Sequence, residues 1–244
     1  FLYEENLTDE NLTILGVPED NRPTVEIMAT LMTATENEII SNSQVSMFLA
    51  NLLSYSDNLK DTAQAVNLSA EKLDDSIVYS GDTSEILYYD ENNFGEFIIN
   101  GAPQNKVYNP NDDDVDDANF KKLGNIDIGD SYRYRNRGYL PIVGKTEYIK
   151  AAGGTYKKDP EVIKDDPIAA FKVALYAWSI KKDDNNKTAN QYAKEHGDSS
   201  TFMKTVQLTQ PNIKDPQPSF EKFDSILNLF VNKKKEFLIS YDRP

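Results

Sequence analysis

The alternation of apolar and polar positions along the chain predicts helices far more often than strands. After Pro23, the residues Ile27, Met28, Leu31 and Met32 recur at helical spacing behind Thr24, which suits a helix N-cap. A second stripe, Val45, Phe48, Leu49, Leu52 and Leu53, opens near Ser41 or Ser43 and calls for burial against a core. A third runs through Ile168, Phe171, Leu175 and Trp178. Here Asp166 is the cap and Pro167 stands in the first turn, where a missing N–H costs nothing. Phe220, Phe223, Ile226, Leu227 and Phe230 make a closing helix. Residues 1–22 are polar and acidic, punctuated by Gly16 and Pro18 with Pro23 just beyond, and read as an extended lead-in. Residues 80–100 place Tyr88, Tyr89, Phe94, Phe97, Ile98 and Ile99 among Gly- and Asp-rich turns, and are expected to be short helix or irregular structure.

The length of 244 residues is enough to bury a proper core, and a single helical domain over 23–244 is the expected organisation. Aromatic residues make up 11% of the chain, so a mean hydropathy of -0.60 does not signal disorder. A formal charge of -14 argues against a phosphate-backbone partner, because nucleic-acid affinity rests on clustered Lys and Arg. No apolar run is long enough to span a bilayer. With no Cys, disulfides and thiolate metal sites are ruled out. The acidic run over 109–119 contains Asp112, Asp114 and Asp116 but lacks the Gly and the final Glu of a calcium-binding loop. It is read as a solvated insertion loop in preference to a metal site, and no cofactor is expected. His196, the only histidine, stands in a polar stretch and reads as an ordinary solvated side chain. The first residue, Phe1, suits a processed secreted protein. Glycosylation sequons occur at Asn6, Asn11, Asn67 and Asn186, about as often as this composition gives by chance.

One stretch carries more information than any other. Gly129-Asp130-Ser131-Tyr132-Arg133-Tyr134-Arg135-Asn136-Arg137-Gly138, continuing through Tyr139 to Tyr148, resembles the G-D-G-x-x-Y-R-G-R-G-x-I-Q-L-T-G-R-x-N-Y segment of glycoside hydrolase family 19, the chitinases and phage endolysins. Further segments match in order. Met47 to Leu59 resembles x-F-L-A-Q/N-x-x-H-E-S/T-G-G-L, Asp61 to Leu73 resembles x-L-S-E-N-L-N-Y-S-A-E-G-L, and Asp166 to Trp178 resembles the D-P-x-x-A-W-K helix. The resemblance implies a mainly α, lysozyme-like bilobal helical fold with irregular loops. It also implies that Tyr134, Arg135, Arg137, Gly138 and Trp178 are scaffold residues. Each arginine is then expected to pair with a buried carboxylate.

The departures from the family fall on its chemistry. Where the family carries the Glu that acts as general acid, this chain has Tyr55, with Ser54 in place of the preceding His and Asp57-Asn58 in place of Gly-Gly. Where endolysin-type members carry the general base, it has Gln64, with one residue of slack in the match. Pro141, Val143 and Glu147 replace the Gln, the Thr or Ser, and the Asn that hold water and sugar in the cleft. Tyr55, Gln64, Tyr139, Pro141, Val143 and Glu147 would therefore line a vestigial cleft without catalytic residues. The expectation is a pseudoenzyme, secreted, with a structural or interaction role among wall or matrix proteins. A lectin-like module that grips chitin or a related glycan is the alternative, since Tyr55 and Tyr139 offer aromatic faces. A rearranged hydrolase with Tyr55 as nucleophile would need a carboxylate from Asp57, Glu71 or Glu147.

Overall fold

The computed structural model describes residues 6–60, 62, 87–89, 97–99, 102–104, 124, 134, 136–195, 199–210, 219–226 and 228–229. The protein is mainly α-helical. It divides into two compact units, one formed by Phe1–Thr62, Gly138–Pro141 and Ile163–Pro244, the other by Ala63–Arg137 and Ile142–Val162. Neither unit is continuous in sequence.

The first unit opens with α1 (Asp9–Ile14) and a 3-10 turn at Glu19–Asn21, where an extended lead-in was expected. Thr8 caps α1 by accepting from the Asn11 N–H at 3.2 Å, and Asp9 and Glu10 sit favourably in its first turn. The segment is ordered because Leu7, Leu12, Leu15 and Val17 are buried, and because Arg22 reaches back to Asp9 at 2.6 Å. The turn-forming residues Gly16 and Pro18 masked this short apolar stripe. Helix α2 (Val25–Thr33) follows from the Thr24 cap and buries Met28 and Met32.

Helix α3 (Asn42–Tyr55) is the axis of this unit. It starts with a capping box in which Ser41 and Gln44 satisfy each other's backbone N–H groups. Every side chain from Gln44 to Leu53 is buried, so the helix has neighbours on all sides. Phe48 meets Phe171 edge-on at 5.7 Å and Trp178 at 5.5 Å. Later in the chain the first unit adds α7 (Pro167–Ser179), α8 (Ala189–Glu195), α9 (Ser199–Thr209) and α10 (219–226). Helix α7 begins where Asp166 accepts from the Ile168 N–H at 2.8 Å and Pro167 takes the first turn.

Two carboxamides at opposite ends of α3 join these helices. Near its start, Gln44 donates to Asn190 at 2.9 Å, Trp178 donates to the same oxygen at 3.2 Å, and Asn190 donates to the Asn37 carbonyl at 2.6 Å. Near its end, Asn51 donates to the Met47 carbonyl at 2.9 Å and to Thr205 at 3.1 Å, and accepts from Thr209 and Gln210, each at 3.1 Å. The buried polar groups are thereby satisfied, which is the condition for placing them in a core.

The connection between α7 and α8 is closed by the Asp183 carboxylate, which accepts from Tyr192 at 2.6 Å and from the Asn185 and Lys187 N–H groups, each at 2.9 Å.

The second unit contains a three-stranded antiparallel sheet, β1 (Leu87–Tyr89), β2 (Phe97–Ile99) and β3 (Ala102–Gln104), in the order β1-β2-β3. Its register pairs Leu87 with Ile99 and Phe97 with Gln104. Short helix or irregular structure was expected over 80–100. Strands β1 and β2 instead follow their aromatic and β-branched residues, while β3, Ala-Pro-Gln, has none and is held by its pairing with β2. The unit continues through α4 (Lys145–Lys150), a 3-10 turn at Ala151–Gly154 and α5 (Thr155–Lys158), and its last residue opens α6 (Val162–Asp165). The acidic run over 109–119 lies outside the described residues, as do His196 and Asn67.

Two outcomes follow from these hydrogen bonds. Replacing Asn51 by Ala removes four buried hydrogen bonds of its carboxamide, while Thr205, Thr209 and Gln210 each keep one other, to the carbonyls of Phe202, Thr205 and residue 51. Chemical denaturation is expected to register a loss of about 2–4 kcal/mol; a loss under about 1 kcal/mol would show that the network is dispensable. Tyr192 and the two backbone N–H groups hold the Asp183 carboxyl at a pKa of about 2. Because this lies below the value of roughly 3.9 in an unfolded chain, the contribution is present above that value and fades as pH falls towards 2. NMR titration of Asp183 should find its midpoint near 2, and Tyr192→Phe should move it upward.

Candidate functional site

The candidate site forms where α3 ends. The helix stops at Tyr55, and the chain then places Asp57, Asn58 and Leu59 in succession at φ of 45°, 58° and 66°. This is the left-handed region that glycine enters freely. There the Cβ of any other residue costs about 1–2 kcal/mol, with Asn and Asp tolerated best. The turn is held by the Asn58 N–H donating to the Leu53 carbonyl at 2.8 Å and by the Leu59 N–H donating to the Ser56 hydroxyl at 2.9 Å. Burial of the Leu59 side chain anchors it from inside. The chain therefore holds three non-glycine residues in a backbone form that favours glycine.

Around this turn the side chains are of few chemical types. The Tyr55 ring is 40% exposed, and desolvation of its phenol raises its pKa. Ser54 shares a hydrogen bond of 2.7 Å with Ser219 of α10 and donates to the Asn51 carbonyl at 3.2 Å. Asp57 is solvated and lies 3.4 Å from Lys60. Lys222 of α10 donates to the Leu15 carbonyl at 3.3 Å, and desolvation lowers its pKa. The end of α1 abuts the turn as well, since a Cβ on Gly16 would lie 3.6 Å from the Asn58 amide. Among the described residues, no carboxylate or imidazole hydrogen-bonds Tyr55, Ser54 or Ser219.

This arrangement has little capacity for acid–base chemistry. A phenol whose pKa is raised above 10 is a poor proton donor to a leaving alcohol near neutral pH. The same shift removes the phenolate that a nucleophilic role needs. Asp57, the nearest carboxylate in sequence, is committed to an exposed pair with Lys60. What Tyr55 does offer is a partly open aromatic face.

The residues after Arg137 serve packing. In the first unit, Gly138 has φ of 101°, and a Cβ there would meet Val173 at 2.6 Å, so the position requires glycine. The Gly138 N–H donates to the Thr62 carbonyl at 2.8 Å. Tyr139, expected to offer an aromatic face to a ligand, is instead fully buried, and its hydroxyl donates to the Asn21 carbonyl. Burial, followed by the charge of Asp166, pushes its pKa far up, so it remains a neutral core residue. The hydrophobic ring drew it inward once residues 19–21 supplied a partner for the hydroxyl. Pro141 is half-buried. Trp178 is fully buried with its indole N–H on Asn190, which makes it core and not a sugar platform.

In the second unit, Arg137 is buried and forms an ion pair with Glu161, while donating to the Tyr148 hydroxyl at 3.0 Å. The Tyr148 ring packs 5.2 Å from that of Tyr134, whose hydroxyl donates to the Lys157 carbonyl at 3.2 Å. Gly144, at φ of 85°, donates its N–H to the Tyr134 carbonyl at 2.8 Å and starts α4. Val143 is 38% exposed, and Glu147 lies in the first turn of α4 with one carboxylate oxygen 3.9 Å from Lys150. Gln64 and Arg135 fall outside the described residues, as does Glu71. Among the described residues no group of three or more His, Cys, Asp or Glu side chains is placed to hold a metal ion.

Of the residues singled out from the sequence, the first unit holds Tyr55, Tyr139 and Pro141, and the second holds Val143 and Glu147. Sequence reasoning missed Ser219 and Lys222, which sit on an otherwise unremarkable helix and become notable only through Ser54 and Leu15. Compared with known proteins, the chain matches no family model and no curated sequence. Among the described residues, no helix is long and apolar enough to cross a membrane.

Substitution at the turn separates backbone strain from side-chain packing. Asn58→Gly relieves a left-handed non-glycine residue and removes a buried amide oxygen that has no partner among the described residues. After subtracting the chain entropy of the new glycine, a gain of about 1 kcal/mol is expected. Leu59→Gly should instead cost at least about 2 kcal/mol, because a core side chain is lost. Unfolding curves with the opposite signs would contradict this account of the turn.

Proposed function

We propose that the chain is a non-catalytic relative of the family 19 chitinases, with their lysozyme-like bilobal helical fold, serving a structural or interaction role outside the cell in a wall or matrix. The observation that carries this reading is the end of α3, where the family's general acid would stand. Tyr55 occupies that position as a neutral, partly desolvated phenol with no carboxylate in hydrogen-bond reach among the described residues. The left-handed Asp57-Asn58 pair supports the same alignment, since it falls where the family has Gly-Gly. Inverting glycoside hydrolysis needs an acid and a carboxylate base about 6.5–9.5 Å apart. Each is worth roughly 10²- to 10⁴-fold and the two act as a unit. With Tyr55 and Gln64 at the two positions, hydrolysis is lost for practical purposes. Pro141 and Val143 replace side chains that would hydrogen-bond water and sugar, and a site built on hydrogen bonds weakens steeply without them.

A lectin-like module that binds chitin or a related amino-sugar polymer is the second reading. The open ring of Tyr55 favours it, while the burial of Tyr139 removes the other aromatic face it would use. Chitin beads and a sizing column separate the two. The structural or interaction reading expects the protein to flow through the beads and to elute as an assembly or with partner proteins. Retention on chitin, reversed by soluble chitin oligosaccharide and abolished by Tyr55→Ala, would overturn it in favour of the lectin.

A further inference from the structure

Of the glycosylation sequons, three have acceptor residues within the described part of the chain, and their environments differ sharply. Asn11 is 1% exposed in α1, and its carboxamide nitrogen, the atom that would carry a sugar, donates to the Asn6 carbonyl at 2.5 Å. Asn6 is itself buried at 8% exposure. A glycan on either would have to displace Leu7 and Leu12 from the core. Asn186 is the opposite case. It is exposed, it stands at φ of 61° at the end of a turn in which its N–H donates to the Asp183 carbonyl at 2.9 Å, and no hydrogen bond restrains its side-chain amide among the described residues. The turn is fixed from beneath by the Asp183 carboxylate and by the bridge between Lys182 and Thr188. A rigid support with a free tip can carry a large polar group without disturbing α7 or α8.

We propose that Asn186, in the sequon Asn186-Lys187-Thr188, is a site of N-linked glycosylation and that Asn6 and Asn11 stay unmodified in the folded protein. The biological use of this site rests on the secreted reading given above. The donor is a lipid-diphosphate-linked oligosaccharide. The Asn186 amide nitrogen bonds to the anomeric carbon as the carbon–oxygen bond to the diphosphate breaks. The diphosphate leaves with the electron pair and the nitrogen gives up one proton. Thr188 is 4% exposed, and its hydroxyl accepts from the Gln191 N–H at 3.2 Å. The transferase must therefore read this sequon before α8 is capped. The fold then decides which glycosylated chains persist.

The test is to express the full chain behind a secretion leader in a glycosylating eukaryotic host, and to map glycopeptides of the folded, secreted fraction by mass spectrometry. Asn186 should carry glycan and be converted to aspartate by a peptide N-glycosidase, with Asn6 and Asn11 recovered bare. Asn186→Gln should be secreted at a similar level and lose one glycan's mass. Folded, secreted protein with Asn186 bare, or with a glycan on Asn6 or Asn11, would overturn the proposal. Because the leader supplies the route, this result is independent of whether the natural chain is exported.

Discussion

The carboxamide of Asn51 is buried with its two donors and its acceptor oxygen all engaged by protein groups, on the helix that meets α7, α8, α9 and α10. An amide in that position would cost several kcal/mol if its partners were missing, so it constrains where α9 and the chain beyond it can lie. Gln44 and Asn190 impose a similar constraint at the other end of α3, bringing in Trp178 and the Asn37 carbonyl. Apolar burial drives the unit together, while these two networks select one register of packing from the many that greasy faces would accept. Phe48, Phe171 and Trp178 then fill the space between them.

A helix held this firmly fixes the geometry at its C-terminus. Ser54 is tied to Ser219, Leu59 is buried, and Asp57, Asn58 and Leu59 itself are all left-handed though none is glycine. A backbone of that form is costly to maintain for Asp, Asn and Leu, and it is sustained by the hydrogen bonds to Leu53 and Ser56. Tyr55 is carried on this support with part of its ring open and its phenol neutral. Among the described residues this turn offers a partly open ring with no carboxylate or imidazole hydrogen-bonded to Tyr55.

Much of the fold was legible in the sequence. The stripes at 24–33, 42–55 and 166–178 mark α2, α3 and α7, because apolar residues at helical spacing have no other use in a chain of this polarity. The caps at Thr24 and Asp166 were equally plain, while that of α3 was narrowed to Ser41 or Ser43 and the structure places it at Ser41. Helix α1 was not legible, since its apolar side chains are few and its order depends on the distant partner Arg22 and on burial supplied by the rest of the unit. The strands at 87–104 were obscured by the Gly- and Asp-rich turns around them. At the candidate site, the residue types at Tyr55, Pro141 and Val143 could be read directly, whereas the burial of Tyr139 could not. Its hydroxyl finds a partner in Asn21, which lies more than a hundred residues earlier in the chain. Arg137 was expected to pair with a buried carboxylate; it is buried, but its partner Glu161 is nearly half exposed, and its other partner is the Tyr148 hydroxyl.

The central claim is that the end of α3 no longer carries glycosidic acid–base chemistry, and turnover of a chitin oligosaccharide measures this directly. The natural protein should release no product above a buffer control at any pH between about 4 and 9, since among the described residues no pair of groups there provides both acid and base. A Tyr55→Glu, Gln64→Glu variant, folded to the same extent, is the informative companion, because any activity it gains would come from carboxylates restored to a retained frame. Turnover by the natural protein that persists on repurification would contradict the account and make Tyr55, Asp57, Glu71 and Glu147 the residues to test as an unconventional catalytic set.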